Sequence, residues 1–251
     1  MITLTLIGIG AGNPDHLTLQ AIEAMRSADL VLIPFKGDEK ADLAGLRRDM
    51  LARHLGPQAR QVMFDLPRRD ATRADYRGAV DDWHDAIADA WRAQIDAHLP
   101  GGGAVALLIW GDPSLYDSSL RIADRLERVM PLRLQVIPGI TAIQALCAAH
   151  RIPLNAIGAP VQITTGRRLR DLGWPEGADT VVVMLDGDCA FQHLPPDGVT
   201  IWWGGFVGMA NQVLDHGPLS EAAPRIIATR ARERAAHGWI MDIYLMRRQN
   251  R

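Results

Sequence analysis

In the first part of the chain, short apolar runs alternate with longer segments in which apolar residues recur every three or four positions. The short runs predict strands and the longer segments predict helices, and their alternation is typical of a largely parallel sheet. A crossover helix is predicted from Thr18 to Ala28 with Thr18 as its N-cap, and a longer helix between Ala71 and Leu99. The predicted strands are Ile2–Ile7, Leu30–Ile33, Gln61–Phe64, Val105–Ile109 and Leu134–Ile137.

After Ile152-Pro153-Leu154 the apolar runs follow one another more closely, with short loops and one or two helices near Gly208–Leu214 between some of them. Proline and glycine punctuate the chain near Asn155, which favours a domain boundary there. We therefore predict two α/β domains: residues 1–155 with a mostly parallel sheet, and residues 156–251 with a mixed sheet. The predicted strands of the second are Val161–Thr165, Thr180–Leu185, Val199–Trp203, Arg225–Ala228 and Trp239–Met246.

Composition narrows the functional classes. The 251 residues are 48% hydrophobic and 22% charged, with a formal net charge of -2. Nucleic-acid binding is disfavoured because phosphate recognition needs an excess of Lys and Arg, and no apolar run approaches the length that spans a bilayer. A strand-like run opens the chain, with no basic leader before it, so we expect a cytoplasmic protein. Cys147 and Cys189 lack the Cys or His neighbours of a metal site, and we expect no metal.

The first glycine-rich segment, Gly8–Asp15, directly follows the first predicted strand. Its position suits a dinucleotide-binding loop, but its glycines fall at alternate positions, and Asn13-Pro14 stands where a Rossmann helix should begin. Two interpretations stay open on this segment alone: a nucleotide-binding loop, and a tight strand-to-helix turn without a ligand.

Two further loops close predicted strands in the same way. Trp110–Tyr116 follows the buried run Val105–Ile109, and Ile137–Ala142 ends one strand and begins a helix. The carboxyl ends of parallel strands meet at one edge of a sheet, where α/β proteins bind ligands. Free backbone amides at a helix N-terminus suit a polar group. The three loops together therefore predict one binding site at this edge.

In this order, the three loops resemble those of the tetrapyrrole methylases over nearly the whole chain. The resemblance rests on Leu6–Asp15 with Leu17-Thr18-Leu19, on Gly111-Asp112-Pro113, and on Pro138-Gly139-Ile140-Thr141, with Val181–Leu185 and Trp202-Trp203-Gly204-Gly205 later in the chain. It implies two α/β domains with the cofactor site in the cleft between them. The implied cofactor is S-adenosyl-L-methionine, with S-adenosyl-L-homocysteine as its product. The implied cofactor contacts are Ala11, Trp110, Gly111, Asp112, Leu115, Thr141, Ala142, Met184 and Gly205.

Three stretches resemble one branch of this family: Gly8–Thr18, Lys36–Lys40 and Leu108–Ser118. The long insert from about Phe35 to Gly103 belongs to the same pattern. The family resemblance implies a homodimer. This branch implies methylation of ring carbon C-1 of a small-molecule corrinoid with release of acetate.

A substrate rich in carboxylates calls for cations, and Arg binds carboxylates in a bidentate manner. The cations proposed for them are Lys36, Lys40, Arg47, Arg48, Arg167 and Arg168, with Arg68, Arg69 and Arg170 as further candidates.

Hydration of an acetyl group requires a general base and an oxyanion donor. Polar residues in or beside the loops suit these roles, and none stands out from the others. The candidates are Asp15, His16, Tyr116 and Asp117.

Three other functions stay open: an NAD-binding oxidoreductase that uses the first glycine loop, a different methyltransferase of the same family, and a non-catalytic tetrapyrrole-binding protein.

Overall fold

The computed structural model describes residues 1–35, 41–56, 60–69, 72 and 75–248. Contacts divide the chain into two compact units, the first comprising Met1–Gly10 with Pro14–Ile140, and the second Ala11–Asn13 with Thr141–Arg251. Each unit contains one five-stranded sheet with helices. The predicted α/β class with two domains is confirmed. The division between Ile140 and Thr141 falls ahead of the predicted boundary near Asn155, and the limits 1–155 and 156–251 stay predictions.

The sheet of the first unit is entirely parallel, with strand order β3-β2-β4-β1-β5. All five strands therefore end at the same edge. The strands are β1 (Ile2–Gly8), β2 (Leu30–Phe35), β3 (Gln61–Asp65), β4 (Gly103–Ile109) and β5 (Leu132–Ile137), and the helices are α1 (Leu19–Arg26), α2 (Ala41–Leu55), α3 (Tyr76–His98) and α4 (Ser119–Val129).

The central strands of this sheet are apolar on both faces because helices cover both. One core contains Leu4 and Leu6 with the α3 residue Trp91, which is 3% exposed. The other contains Ile7 and Ile9. Thr18 caps α1 as predicted, since its side chain accepts a hydrogen bond from the Ala21 amide at 3.0 Å. On α3, Ile87 and Ile95 are buried beside Trp91 in the first of these cores, as the burial of large apolar area favours.

The sheet of the second unit is mixed, with strand order β6-β7-β10-β8-β9. Only β6 and β7 are parallel, and the other pairs are antiparallel. The carboxyl ends of β6, β7 and β8 consequently share one edge with the amino end of β10. The strands are β6 (Val161–Thr165), β7 (Thr180–Met184), β8 (Val199–Gly205), β9 (Val213–Pro218) and β10 (Asp242–Arg248), and the helices are α5 (Ala142–His150), α6 (Gly166–Leu172) and α7 (Leu219–His237).

Two predictions for this unit are wrong. Arg225–Ala228 is not a strand but lies inside α7, where Leu219, Ala222 and Ile226 are buried at helical spacing. The helices expected near Gly208–Leu214 are replaced by turns that lead into β9. The β-branched residues Ile226 and Ile227 favour a short strand when only these few positions are compared, because the helical spacing appears only over a longer segment.

The two cysteines have different surroundings. Cys189 is buried, and burial raises the pKa of its thiol to about 11, whereas Cys147 is half-buried.

Within the described residues, no helix has the length and apolar character needed to cross a membrane.

Candidate functional site

Three loops of the first unit meet through glycines at the carboxyl edge of its sheet. A Cβ on Gly8 would lie 2.5 Å from the amide nitrogen of Gly139, and one on Gly139 would collide with the carbonyl oxygen of Gly111. The chain can bring the ends of β1, β4 and β5 this close only because Gly8 and Gly139 carry no side chain. We call the loops that follow β1, β4 and β5, with these three glycines, the glycine edge.

Backbone hydrogen bonds join the first two loops of the glycine edge. The Gly10 amide donates to the Gly111 carbonyl at 3.2 Å, and the Gly111 amide donates to the Gly10 carbonyl at 2.9 Å. The Ile9 amide also donates to the Ile109 carbonyl at 2.9 Å. The two loops are therefore held together beyond the ends of β1 and β4, through an isolated antiparallel bridge between Gly10 and Gly111.

Asp112 joins the second loop to the third. One carboxylate oxygen accepts a hydrogen bond from the Gly139 amide at 2.8 Å, and the other accepts from the amide and the hydroxyl of Ser114. Burial favours the neutral acid, but the hydrogen bonds outweigh this effect and hold the pKa of Asp112 below its ordinary value. The carboxylate thus fixes the loop geometry as an anion.

Gly111 faces open space at this edge. Its φ is +66°, and a Cβ built on it would have no heavy atom within 4 Å. Beside it, the side chain of Trp110 packs on the apolar core, and the half-buried Leu115 donates its amide to the Asp112 carbonyl at 3.3 Å. The amide and carbonyl of Gly111 are already paired with Gly10, so the open feature at this position is the space that a Cβ would enter and that a side chain would obstruct.

The four catalytic candidates have different surroundings. Asp15 forms an exposed ion pair with Arg53 at 2.6 Å. The carboxylate of Asp117 accepts a hydrogen bond from the Ser119 amide at 2.7 Å, at the start of α4. Tyr116 has a left-handed backbone with φ of 51° and is 45% exposed. In His16, the Nδ1 atom is buried and has no hydrogen-bond partner among the described residues.

In the second unit, the predicted cofactor residues lie at the ends of secondary-structure elements. Thr141 caps α5 in a capping box with Gln144, and Ala142 is the first residue of that helix. Met184 ends β7 and is half-buried. Gly205 ends β8, where a Cβ would lie 3.0 Å from the Trp203 ring, so this glycine also serves packing.

The segment Ala11–Asn13 of the first loop belongs to the second unit. Ala11 is buried, with 4% of its surface exposed.

A buried polar network at the edge of the second sheet where β7 ends and β10 begins was not predicted from the sequence. The Asp186 carboxylate accepts hydrogen bonds from the Tyr244 hydroxyl at 2.7 Å and the Ala190 amide at 2.6 Å. Arg230 donates to the Asp186 carbonyl at 2.8 Å and to the Asp242 carboxylate at 2.9 Å. We call Asp186, Arg230, Asp242 and Tyr244 the Asp186–Asp242 network. Asp186 lies far in the chain from the other three members, and no local motif marks them.

The predicted cations fall into several groups. Arg47 donates through Nε to the Leu108 carbonyl at 2.9 Å, and burial lowers the pKa of its guanidinium to about 10 while Asp117 opposes that shift. Arg48, Arg167 and Arg168 are exposed.

Among the further candidates, Arg68 and Arg69 are exposed, and Arg170 forms ion pairs with Asp171 and Asp188. Lys36 and Lys40 lie outside the described residues.

Comparison with known proteins agrees with the resemblance seen in the loops. The family model described as Tetrapyrrole (Corrin/Porphyrin) Methylases matches residues 3–223. The chain is 47% identical to a precorrin-6A synthase [deacetylating] from Sinorhizobium sp over 251 residues, covering 99% of this chain and 96% of the relative.

Solved structures show the same fold. A putative cobalamin synthesis related protein (CobF) from Corynebacterium diphtheriae superposes with a TM-score of 0.86 at 38% identity, covering 100% of both chains. Uroporphyrin-III C-methyl transferase from Thermus thermophilus, complexed with S-adenyl homocysteine, superposes with a TM-score of 0.59 at 18% identity, covering 97% of this chain and 96% of that one. The family model and the full-length relative establish that this chain belongs to the tetrapyrrole (corrin/porphyrin) methylases.

Proposed function

We propose that this chain is a precorrin-6A synthase (deacetylating), an S-adenosylmethionine-dependent methyltransferase of cobalamin biosynthesis. It would methylate precorrin-5 at C-1 and release the acetyl group as acetate. The observation that carries the proposal is the 47% identity to a relative of that name over 99% of the chain. The family uses S-adenosylmethionine, in agreement with the predicted cofactor.

The glycine edge fits such a cofactor. Gly111 faces open space that a Cβ would enter, and the loop beside it is fixed by the Asp112 hydrogen bonds. We propose cofactor contacts in the first unit at Trp110, Gly111, Asp112 and Leu115. In the second unit we propose contacts at Ala11, Thr141, Ala142, Met184 and Gly205. Gly205 can contact a ligand only through its backbone, and the Trp110 side chain is half-buried against the apolar core.

When bound, the cofactor supplies a sulfonium methyl group that is already electrophilic. The protein therefore contributes mainly by holding the acceptor carbon in line and by excluding water from the wrong positions. The removal of the acetyl group needs more from the chain: water adds to the acetyl carbonyl, the bond to C-1 breaks, and its electron pair stays on C-1 while acetate leaves. C-1 then becomes the carbon nucleophile.

This cleavage requires a base near the acetyl group. Asp15, His16, Tyr116 and Asp117 are the proposed candidates. Asp15 and Asp117 already accept hydrogen bonds within the protein, from Arg53 and Ser119 respectively, whereas the buried Nδ1 of His16 has no partner among the described residues. The structure therefore favours His16 as the first residue to vary.

We also propose that Arg48, Arg167 and Arg168, with Lys36 and Lys40, bind substrate carboxylates. Arg47 fits this role less well, because its guanidinium contacts the Leu108 carbonyl and faces Asp117. We propose a cytoplasmic homodimer, as the family resemblance implies. Light scattering on the purified protein tests the dimer: twice the chain mass supports it, and the mass of one chain contradicts it.

Two measurements test the proposed function. Calorimetry should show S-adenosylhomocysteine binding and no NADH binding, and the opposite pattern would favour the oxidoreductase alternative. Turnover should then be compared across precorrin-2, precorrin-3, precorrin-4 and precorrin-5. We expect methylation of precorrin-5 alone. Methylation of another precorrin would indicate a different enzyme of the family, and lack of turnover with all four would indicate a binding protein.

A further inference from the structure

Leu185 has an unusual conformation at the edge of the second sheet. It directly follows Met184 at the end of β7, its φ is +53°, and 67% of its surface is exposed. A left-handed backbone is unfavourable for a leucine, and such strain persists only where the surroundings fix it. The exposed side chain also gains nothing from the core of the folded unit.

The fixing residue is Asp186, the next in the chain. Its carboxylate accepts hydrogen bonds from the Asp188 amide at 3.0 Å, the Ala190 amide at 2.6 Å and the Tyr244 hydroxyl at 2.7 Å. Gly166 of α6 packs so closely against this carboxylate that a Cβ there would overlap it. Asp186 is 7% exposed, so the turn after Leu185 is held from several sides.

Arg230 connects this turn to the neighbouring strand ends. It donates to the Asp186 carbonyl at 2.8 Å and to the Asp242 carboxylate at 2.9 Å. Asp242 begins β10 and pairs in register with Gly205, the last residue of β8. One buried guanidinium therefore sets the ends of β7 and β10, and through their pairing the end of β8.

Stability alone does not account for such an arrangement, because well-packed apolar residues commonly stabilise a protein as well as a buried ion pair does. Because the network fixes a strained, exposed leucine next to a proposed cofactor residue, we expect it to affect the affinity for the ligand. We propose that the Asp186–Asp242 network is a positioning device that presents Leu185, beside Met184, as an apolar contact for the nucleoside part of the cofactor. This proposal rests on the proposed function.

The first test removes the presented side chain. Leu185→Ala should weaken the binding of S-adenosylhomocysteine and of free adenosine by a similar factor of about ten, since both lose the same apolar contact. Leu172→Ala is the matched control, because Leu172 is 70% exposed at the end of α6. Calorimetry on both variants measures the effect. Equal affinities of the two variants for these ligands would contradict the proposed contact.

The second test loosens the positioning residues. Tyr244→Phe removes one hydrogen bond to Asp186 and keeps the ring, and we expect S-adenosylhomocysteine affinity to fall about threefold to tenfold. Ile201→Val, in the same core, provides a control for stability without a change in the network. If both variants lose the same affinity at similar melting temperatures, the network is only structural.

The wild-type protein separates the two failures. Absence of S-adenosylhomocysteine binding by the wild type would contradict the proposed function itself. Normal wild-type binding, with Leu185→Ala indistinguishable from Leu172→Ala, would contradict the positioning proposal alone.

Discussion

The glycine edge of the first unit and the Asp186–Asp242 network of the second unit shape two loop edges by opposite means. At the glycine edge, a Cβ on Gly8 or Gly139 would collide with a neighbouring backbone, and a Cβ on Gly111 would enter open space. At the second edge, buried charged and polar side chains hold the backbone, including a leucine with φ of +53°. The first edge depends on the absence of side chains, and the second on their presence.

The difference determines how each edge should respond to mutation. A glycine edge loses ligand binding when a small group is added, because the added atoms occupy the space of the ligand or force the loops apart. A polar network loses stability when one partner is removed, because the remaining charge is buried without compensation. Binding and unfolding measurements on the same variants therefore distinguish the two designs.

The largest expected effect is on stability, at the network. Arg230→Met should lower the free energy of unfolding by about 3–5 kcal/mol, because it leaves Asp242 buried without its cation. Burial already raises the pKa of Asp242, and Arg230 is the first group that opposes this shift. Arg225→Met is the control, since Arg225 pairs with Asp215 at the surface. Urea unfolding that shows equal losses for both variants would remove the distinction between the edges.

The next effect is on binding, at the glycine edge. Gly111→Ala should weaken S-adenosylhomocysteine affinity about a hundredfold, which corresponds to about 2.7 kcal/mol. Gly177→Ala is a closely matched control: its φ is +73° against +66° for Gly111, and in both cases a Cβ would have no neighbour within 4 Å. The two variants should lose similar stability from backbone strain. Unchanged affinity in folded Gly111→Ala would show that the cofactor site is placed wrongly.

A smaller effect concerns His84, a buried polar residue of the first unit. His84 is 3% exposed, and neither ring nitrogen has a hydrogen-bond partner among the described residues. Burial lowers its pKa; Arg125 and Arg121 lower it further, while Asp81 and Asp85 raise it. The unfolded chain therefore takes up a proton near pH 6.5 that the folded chain does not, and stability should fall as the pH drops below this value.

His84→Leu should remove this acid sensitivity. It should also raise the free energy of unfolding near pH 7 by about 1 kcal/mol, because an unpaired buried polar group is costly. Urea unfolding near pH 7.5 and near pH 5.5 measures both effects. An unchanged difference between the two pH values in His84→Leu would assign the acid sensitivity to other groups.

The smallest effect is on salt dependence. Substrate affinity should fall more steeply with ionic strength than S-adenosylhomocysteine affinity, since exposed cations that bind carboxylates are screened by salt. The double variant Arg167→Gln and Arg168→Gln should reduce this slope. Binding titrations at low and high salt measure it, and equal slopes for substrate and S-adenosylhomocysteine would argue against the proposed cations.

The glycine edge could be predicted from the sequence because its information is local. Gly8, Gly111 and Gly139 each follow a recognisable apolar strand, and parallel strands bring such loops to one edge. The parallel orientation of all five strands in the first unit follows from the alternation of predicted strands and helices. Thr18 and Thr141 likewise signal their helix starts within a few residues.

The network could not be predicted in this way. Asp186, Arg230 and Asp242 come from separate elements, and only the order of strands β7, β10 and β8 brings them together. Leu185 carries no signal of its left-handed backbone, because glycine is the residue that usually marks one. The error at Arg225–Ala228 has a related cause: the burial of Ile226 depends on helical partners that a short window does not include.

The most direct test of the central claim is the ratio of acetate to methylated product. Wild-type protein, precorrin-5 and methyl-labelled S-adenosylmethionine should give one acetate for each labelled methyl group at C-1. With S-adenosylhomocysteine in place of the methyl donor, cleavage before methylation permits acetate release without methylation. Methylated product that keeps its acetyl group, or labelled product without acetate, would contradict the proposed deacetylating methyltransferase.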